Sequence, residues 1–155
     1  MHHIKRTIIL LMLIIVVLLY TSIVLANNYT AAQLEKRLKD CPIPPDTYVV
    51  DSLAIAGKMD GNGNGMQWYG FLLVDSNLSE NALTEWYEKA ICPNDDEWLW
   101  ASRQETPYVF EYQNKRFSRF SDSGKLYGIC LAKFSTVGCE ETVWESILNF
   151  DVRGH

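Results

Sequence analysis

Histidine is almost missing from this chain, and the short cysteine motifs that hold metals are missing too. The three histidines are His2, His3 and His155, so the interior of the sequence has none. A domain without histidine has no Ser-His-Asp or Cys-His catalytic pair and no imidazole metal ligand. No two cysteines form a C-x-x-C pair, which argues against a zinc knuckle or a thioredoxin-like site. We therefore expect a non-enzymatic protein that needs no cofactor.

Acidic residues outnumber basic ones after the first 26 residues. Lys5 and Arg6 are the only charged residues among the first 26, so the remainder is more negative than the net −5 of the whole chain. A nucleic-acid surface needs a basic patch, and so does electrostatic docking on anionic lipid headgroups. We therefore expect no nucleic-acid partner.

The sequence contains one long apolar run, which begins at Thr7 and ends at Leu25 and carries no charge. A membrane-spanning helix needs about 20 apolar residues. The length of the run predicts a retained single-pass anchor in the cell membrane, with Lys5 and Arg6 inside and the domain outside. The alternative is a signal peptide over residues 1–26, because the V-L-A ending fits a cleavage site. Cleavage at Ala26 would make the domain a secreted protein.

Four cysteines follow the apolar run: Cys41, Cys92, Cys130 and Cys139. In an exported chain an even number of cysteines predicts disulfide bonds, here two, with three connectivities open. The short spacing between Cys130 and Cys139 favours a local pair. That pair would leave Cys41 for Cys92.

The remaining chain predicts a short helix and a proline-rich connector over residues 27–46, then one domain over residues 47–155. Thr30 and Gln33 have the spacing of a capping box, so we expect the short helix to begin there. Residues 66–74 are apolar on both faces, which predicts a central strand. A Gly/Asn-rich turn pairs this strand with residues 47–56. Ser79 is the expected N-cap of a helix that ends near Ile91.

Shorter elements complete the prediction. The strands are expected over residues 98–102, 108–112, 116–120 and 125–134, and a last helix over residues 140–150, with Val143, Ile147 and Phe150 as its apolar stripe, widened by Trp144. This order predicts an α+β fold. We expect an antiparallel sheet of about four to six strands, with two or three helices on one face and a hydrophobic helix before them.

The Gly/Asn-rich turn has two interpretations. Asp60, Asn62 and Asn64 occupy the first three ligand positions of a calcium loop, and Gly65 supplies its sharp turn. Phe71 stands where such a loop requires a bidentate glutamate. The turn is therefore either a simple hairpin, which we favour, or the centre of a weak calcium-binding surface module.

Two further groups of residues raise alternatives. A carboxylate-based hydrolase would use at least two of Asp51, Asp75, Asp95, Asp96 and Glu111 in one cleft. The aromatic side chains of residues 98 and 100 share one side of their strand, as do those of residues 108, 110 and 112. We expect these rings in the core, and the alternative is an exposed platform for a glycan or peptide.

The run A-G-K-M-D-G-N-G-N-G-M-Q-W-Y-G, with V-D-S-N-L-S-E-N-A-L and W-Y after it, resembles a segment of small uncharacterised exported proteins of Gram-positive anaerobes. The resemblance covers about a third of the chain. It implies export and a shared fold, and it implies no activity. The function we expect is a binding or cell-envelope accessory domain with an unknown protein or glycan partner.

Overall fold

The middle of this fold is a strand that carries apolar side chains on both of its faces. Helices cover one face of the sheet to which it belongs. The computed structural model describes residues 2–57, 66–110, 115–120 and 124–134. The elements are α1 (His2–Asp40), β1 (Thr47–Gly57), β2 (Gln67–Ser76), α2 (Glu80–Ile91), β3 (Glu97–Arg103), β4 (Tyr108–Phe110), β5 (Lys115–Arg116) and β6 (Leu126–Phe134). The predicted last helix, residues 140–150, lies outside the described residues.

The main sheet has four strands in the order β1-β2-β6-β3, and every neighbouring pair is antiparallel. β4 and β5 form a separate two-stranded sheet. The predicted α+β class is confirmed, and so is the central place of β2. Both faces of β2 are covered, which explains why its sequence is apolar without alternation.

Side chains from the two faces of the sheet belong to two separate cores. The helix-side core joins the sheet to α1 and α2 through Ala31, Leu34, Leu38, Met66, Trp68, Leu72, Leu83, Tyr87 and Ile129. The opposite core contains Ile55, Tyr69, Phe71, Leu73, Phe117, Leu126, Cys130 and Ala132. Both helices therefore pack on one face, as predicted. The small sheet and the chain after it cover part of the other face.

Helix α1 runs without interruption through the predicted boundary between the apolar run and the domain. The capping box expected at Thr30 is wrong, because the Thr30 hydroxyl donates to the carbonyl of Ala26 one turn earlier at 3.0 Å. Residues 27–40 therefore continue the helix of the apolar run, and residues 41–46 connect it to β1. We call residues 4–26 the stem and residues 27–40 the docked half of α1.

Gly70 sets how closely the docked half lies on the sheet. A Cβ placed on Gly70 would overlap the backbone of Leu34 and Glu35. Only a glycine leaves room for a helix backbone at this distance. Leu34 and Leu38 are 3% and 0% exposed beside this contact. The helix is therefore held against β2 by close backbone packing as well as by apolar side chains.

Helix α2 begins as the sequence predicts, with the Ser79 hydroxyl accepting from the Ala82 amide at 3.3 Å. Leu83 and Tyr87 form its buried face. The spacing of Leu83, Trp86 and Tyr87 predicts Trp86 on that face as well, yet it is 38% exposed. Its indole N–H donates to the carbonyl of Pro42 at 2.9 Å, so the ring lies across the chain that leaves α1.

Candidate functional site

The stem of α1 is the most unusual surface of the protein. Ile4 to Leu19 are all exposed, and this helix is long and apolar enough to cross a membrane. At a rise of 1.5 Å per residue the stem spans about 34 Å, which matches the roughly 30 Å of a bilayer hydrocarbon core. Such an area of apolar side chain is not stable in water.

Asn27 is the first buried side chain of α1, after the partly buried Ile23 and Val24. Asn27 is 4% exposed, and the indole N–H of Trp68 donates to its amide oxygen at 3.2 Å. Trp68 is the second residue of β2. The stem therefore leaves the domain at the end of the sheet where β1 ends and β2 begins.

The expected cleavage site has no extended backbone in this structure. Val24, Leu25 and Ala26 are helical, and so is Asn27 after them. The carbonyl of Ala26 also accepts from the Thr30 hydroxyl. A protease needs an opened chain, and it finds one most easily in exposed loops.

An ion pair fixes the docked half of α1 to the first residue of β3. The Arg37 guanidinium donates to Oε1 of Glu97, and the Asn94 amide donates to Oε2 at 2.9 Å. Burial raises the pKa of Glu97, but Arg37 and the Asn94 amide outweigh burial, so the pKa lies below its ordinary value. The side chain of Glu97 is 3% exposed, and removing one partner would leave the other without its charge partner.

Asp51 is the anchor for the chain that covers the opposite core. Its carboxylate accepts from the Ser118 amide at 2.7 Å, the Ser118 hydroxyl at 2.9 Å and the Arg119 amide at 2.8 Å. Burial raises the pKa of Asp51, and these hydrogen bonds lower it further than burial raises it. Of the strand predicted over residues 116–120, only Arg116 belongs to β5. The Phe117 amide still donates to the Pro107 carbonyl, whereas the Ser118 and Arg119 amides turn to Asp51.

Asp75 lies far from Asp95 and Asp96, the other carboxylates proposed for a hydrolase. Asp75 pairs with Leu126 at one end of β6, while Glu97, which follows Asp95 and Asp96, pairs with Lys133 near the other end. Along a strand this separation is roughly 24 Å, whereas paired glycosidase carboxylates lie about 5–9.5 Å apart. Asp96 instead forms an ion pair with Lys133 at 2.8 Å. Glu111 lies outside the described residues.

The predicted disulfide between Cys41 and Cys92 is not formed. Cys41 and Cys92 are free thiols in the structure, the first buried and the second exposed. Cys41 lines a shallow depression with Ile91, the neighbour of Cys92, so the last turns of the two helices are close. Cys92 caps α2 in a left-handed conformation, and its thiol turns to the carbonyl of Lys89. Cys139 lies outside the described residues, so its predicted pairing with Cys130 stays a prediction.

The predicted calcium ligands Asp60, Asn62 and Asn64 also lie outside the described residues. Within the part of the chain that the structure describes, no three His, Cys, Asp or Glu side chains are grouped as a metal would require.

The two groups of aromatic side chains have different environments. Phe110 is half-buried and packs edge-on against Tyr69 and Phe71, with ring centroids 5.1 and 5.9 Å apart. The prediction of core packing is thus correct for Phe110. By contrast, Trp98 and Trp100 are 51% and 37% exposed. Tyr112 lies outside the described residues.

Sequence inspection missed Asn27, Arg37 and Gly70 as determinants of this arrangement. Only Gly70 carried a usable signal, because a glycine inside an apolar strand indicates a close backbone approach. The fold and the stem together define an α+β domain carried on an apolar helix. No protein-family model, curated protein or solved structure matches the chain.

Proposed function

We propose that this chain is a single-pass membrane protein that presents a non-enzymatic binding domain outside the cytoplasm. The observation that carries the proposal is the continuity of α1, in which one helix supplies both the apolar stem and a buried wall of the domain. The first buried side chain, Asn27, follows the stem at once. The domain consequently begins at the membrane surface.

The same continuity favours a retained anchor over cleavage after Ala26. Cleavage there would require the helix to open beside Asn27, whose side chain is already bonded to Trp68. The positive residues Lys5 and Arg6 precede the stem, which favours an outside location for everything after it.

A rigid connection between stem and domain suits a protein that displays a surface. The docked half touches β1 and β2 along its length, and Arg37 ties its last turn to β3. The sheet therefore has a set orientation relative to the bilayer, so a partner meets the same surface on every copy. Binding to a pre-organised surface costs less ordering entropy than binding to a tethered, freely rotating domain.

The two carboxylates held by hydrogen bonds, Asp51 and Glu97, support a binding role over catalysis. Asp51 and Glu97 each accept several hydrogen bonds from the chain itself, and both have lowered pKa values. A general acid needs the opposite, a carboxyl whose pKa is raised towards neutrality. These two side chains have a structural role. Asp51 holds the chain that covers the opposite core, and Glu97 holds the docked half of α1.

Thiol labelling of intact cells tests the proposal, because the chain has an exposed cysteine that a maleimide can reach. Cys92 is exposed, whereas Cys41 and Cys130 are buried and serve as internal references. After mild reduction, a membrane-impermeant maleimide should label Cys92 on intact cells, and the labelled protein should stay in the membrane fraction. Its intact mass should include residues 1–26. Labelling only after lysis, or a mass that begins at Asn27, would contradict the proposal.

A further inference from the structure

One region of the sheet keeps large aromatic rings exposed. We call Trp98, Trp100 and Phe134 the aromatic patch. The rings of Trp98 and Phe134 meet edge-on with centroids 4.9 Å apart. In the strand register Trp98 pairs with Ala132 and Trp100 with Cys130, two buried residues of the opposite core. The aromatic patch therefore extends the opposite core along the same face of the sheet and is exposed.

The rest of the same sheet face is covered. Phe110 and Phe117, from the small sheet and the chain after it, pack on Phe71 at centroid distances of 5.9 and 6.5 Å. Within the described residues, no element lies in the same way over the part formed by β6 and β3. Two exposed indoles beside a packed core indicate that something covers them.

We propose that the apolar stripe of residues 140–150 packs on the aromatic patch. These residues lie outside the described part of the chain, and the proposal rests on their sequence and on where the chain enters them. Val143, Ile147 and Phe150 recur at helical spacing, so a helix would carry one apolar face. Glu140 and Glu141 suit the first turn of that helix.

The chain reaches residue 140 from the patch itself. Phe134 is the last residue of β6 and already touches Trp98. Residues 135–139 can span about 16 Å when extended. A helix over residues 140–150 is about 16 Å long, enough to cover Trp98 and Trp100, which lie about 7 Å apart along β3. The segment therefore reaches the patch without passing around another element.

Oxidative footprinting of the full chain, read separately at each tryptophan, tests this assignment. Trp86 is the reference, because its 38% exposure on the helix side resembles that of Trp100 at 37%. We expect Trp98 and Trp100 to react several-fold more slowly than Trp86. Ile147→Asp should bring both up to the rate of Trp86. Asn149→Asp, on the far side of the predicted helix, should leave them slow.

Trp68 serves as the folding check, since it is 8% exposed in the helix-side core and should stay unreactive in every variant. If Ile147→Asp unfolds the protein, Ile147→Ala replaces it, with a smaller rise expected at Trp98 and Trp100 only. Fast labelling of Trp98 and Trp100 in the unmodified chain would overturn the assignment. Protection that appears only at high protein concentration would indicate a second copy instead, and protection that requires lipid vesicles would indicate the bilayer. Either result would also overturn it.

Discussion

The two halves of α1 share one helix and have opposite relations to their surroundings. In the stem the side chains from Ile4 to Leu19 are exposed on every side of the helix. In the docked half only one face is apolar, and Ala31, Leu34 and Leu38 are at most 3% exposed. A helix that is apolar all round belongs in a membrane or a large core, whereas a one-sided helix belongs on a domain. In the proposed membrane location, one continuous helix meets two solvents, and Asn27 is its first buried side chain.

The largest effect should come from filling the space at Gly70. We expect Gly70→Val to destabilise the domain by more than the about 3 kcal/mol of ordinary overpacking, because the backbone of Leu34 and Glu35 cannot move aside. Chemical denaturation followed by circular dichroism measures the loss. Gly128→Ala is the matched control, since a Cβ there meets only the end of the Gln104 side chain, at 3.0 Å. Equal losses in the two variants would show that the docked half is not held by close backbone contact.

A lysine placed in each half of α1 should show which half lies in lipid and which half lies in water. Val16→Lys puts an ammonium in the middle of the stem, where insertion into a bilayer costs about 3 kcal/mol more. Gln33→Lys adds the same charge on the exposed side of the docked half. We expect the first variant to lose much of its membrane-bound fraction and the second to keep it, as measured by carbonate extraction and blotting. A stem that tolerates Val16→Lys is not in lipid.

The same truncation in both halves should affect stability in only one of them. Leu34→Ala removes a side chain that is 3% exposed, and we expect a loss of about 2–3 kcal/mol in the free energy of unfolding. Leu19→Ala removes one that is 60% exposed, and it should leave the domain unchanged. Thermal denaturation in detergent compares them. A comparable fall in Tm for Leu19→Ala would mean that the stem also packs on the domain.

The ion pair of the docked half should make stability depend on pH. The folded pKa of Glu97 lies below its ordinary value of 4.5, so the pair's contribution is fully present above that pH. It is lost as the pH falls through the lowered folded value. Glu97→Gln should therefore cost about 1–2 kcal/mol at pH 7 and much less at pH 3. Urea midpoints at both pH values measure this, and a difference between wild type and variant that does not shrink in acid would exclude the charge as the cause.

The smallest expected effect concerns the Gly/Asn-rich segment over residues 58–65, which follows Gly57 in the sequence. We expect millimolar calcium to produce no binding heat and no change in Tm, with Asp60→Ala as the control for binding at this segment. A rise in Tm that Asp60→Ala abolishes would establish the calcium-binding alternative.

The local features of this fold were predictable because they follow from neighbouring residues. The two-sided apolar pattern of β2 and the Ser79 cap of α2 were correct, since strand periodicity and capping act within a few residues. The prediction was wrong where the folded structure overrode a local sequence pattern. Thr30 has a side chain suited to an N-cap. Its hydroxyl instead donates to the carbonyl of Ala26, because the helix already extends N-terminal to Thr30. Trp86 has the spacing of a core residue, yet its ring lies over Pro42.

The sequence by itself determined the apolar stem, the order of helices and strands and the α+β class, because each depends on runs and periods along the chain. The tertiary structure alone decided where those elements meet. Trp68 reaches Asn27 across 41 positions, Arg37 reaches Glu97 across 60, and Asp51 holds Ser118 across 67. Such pairs leave no periodic trace, because their partners are chosen by the geometry of the folded sheet and not by distance along the chain.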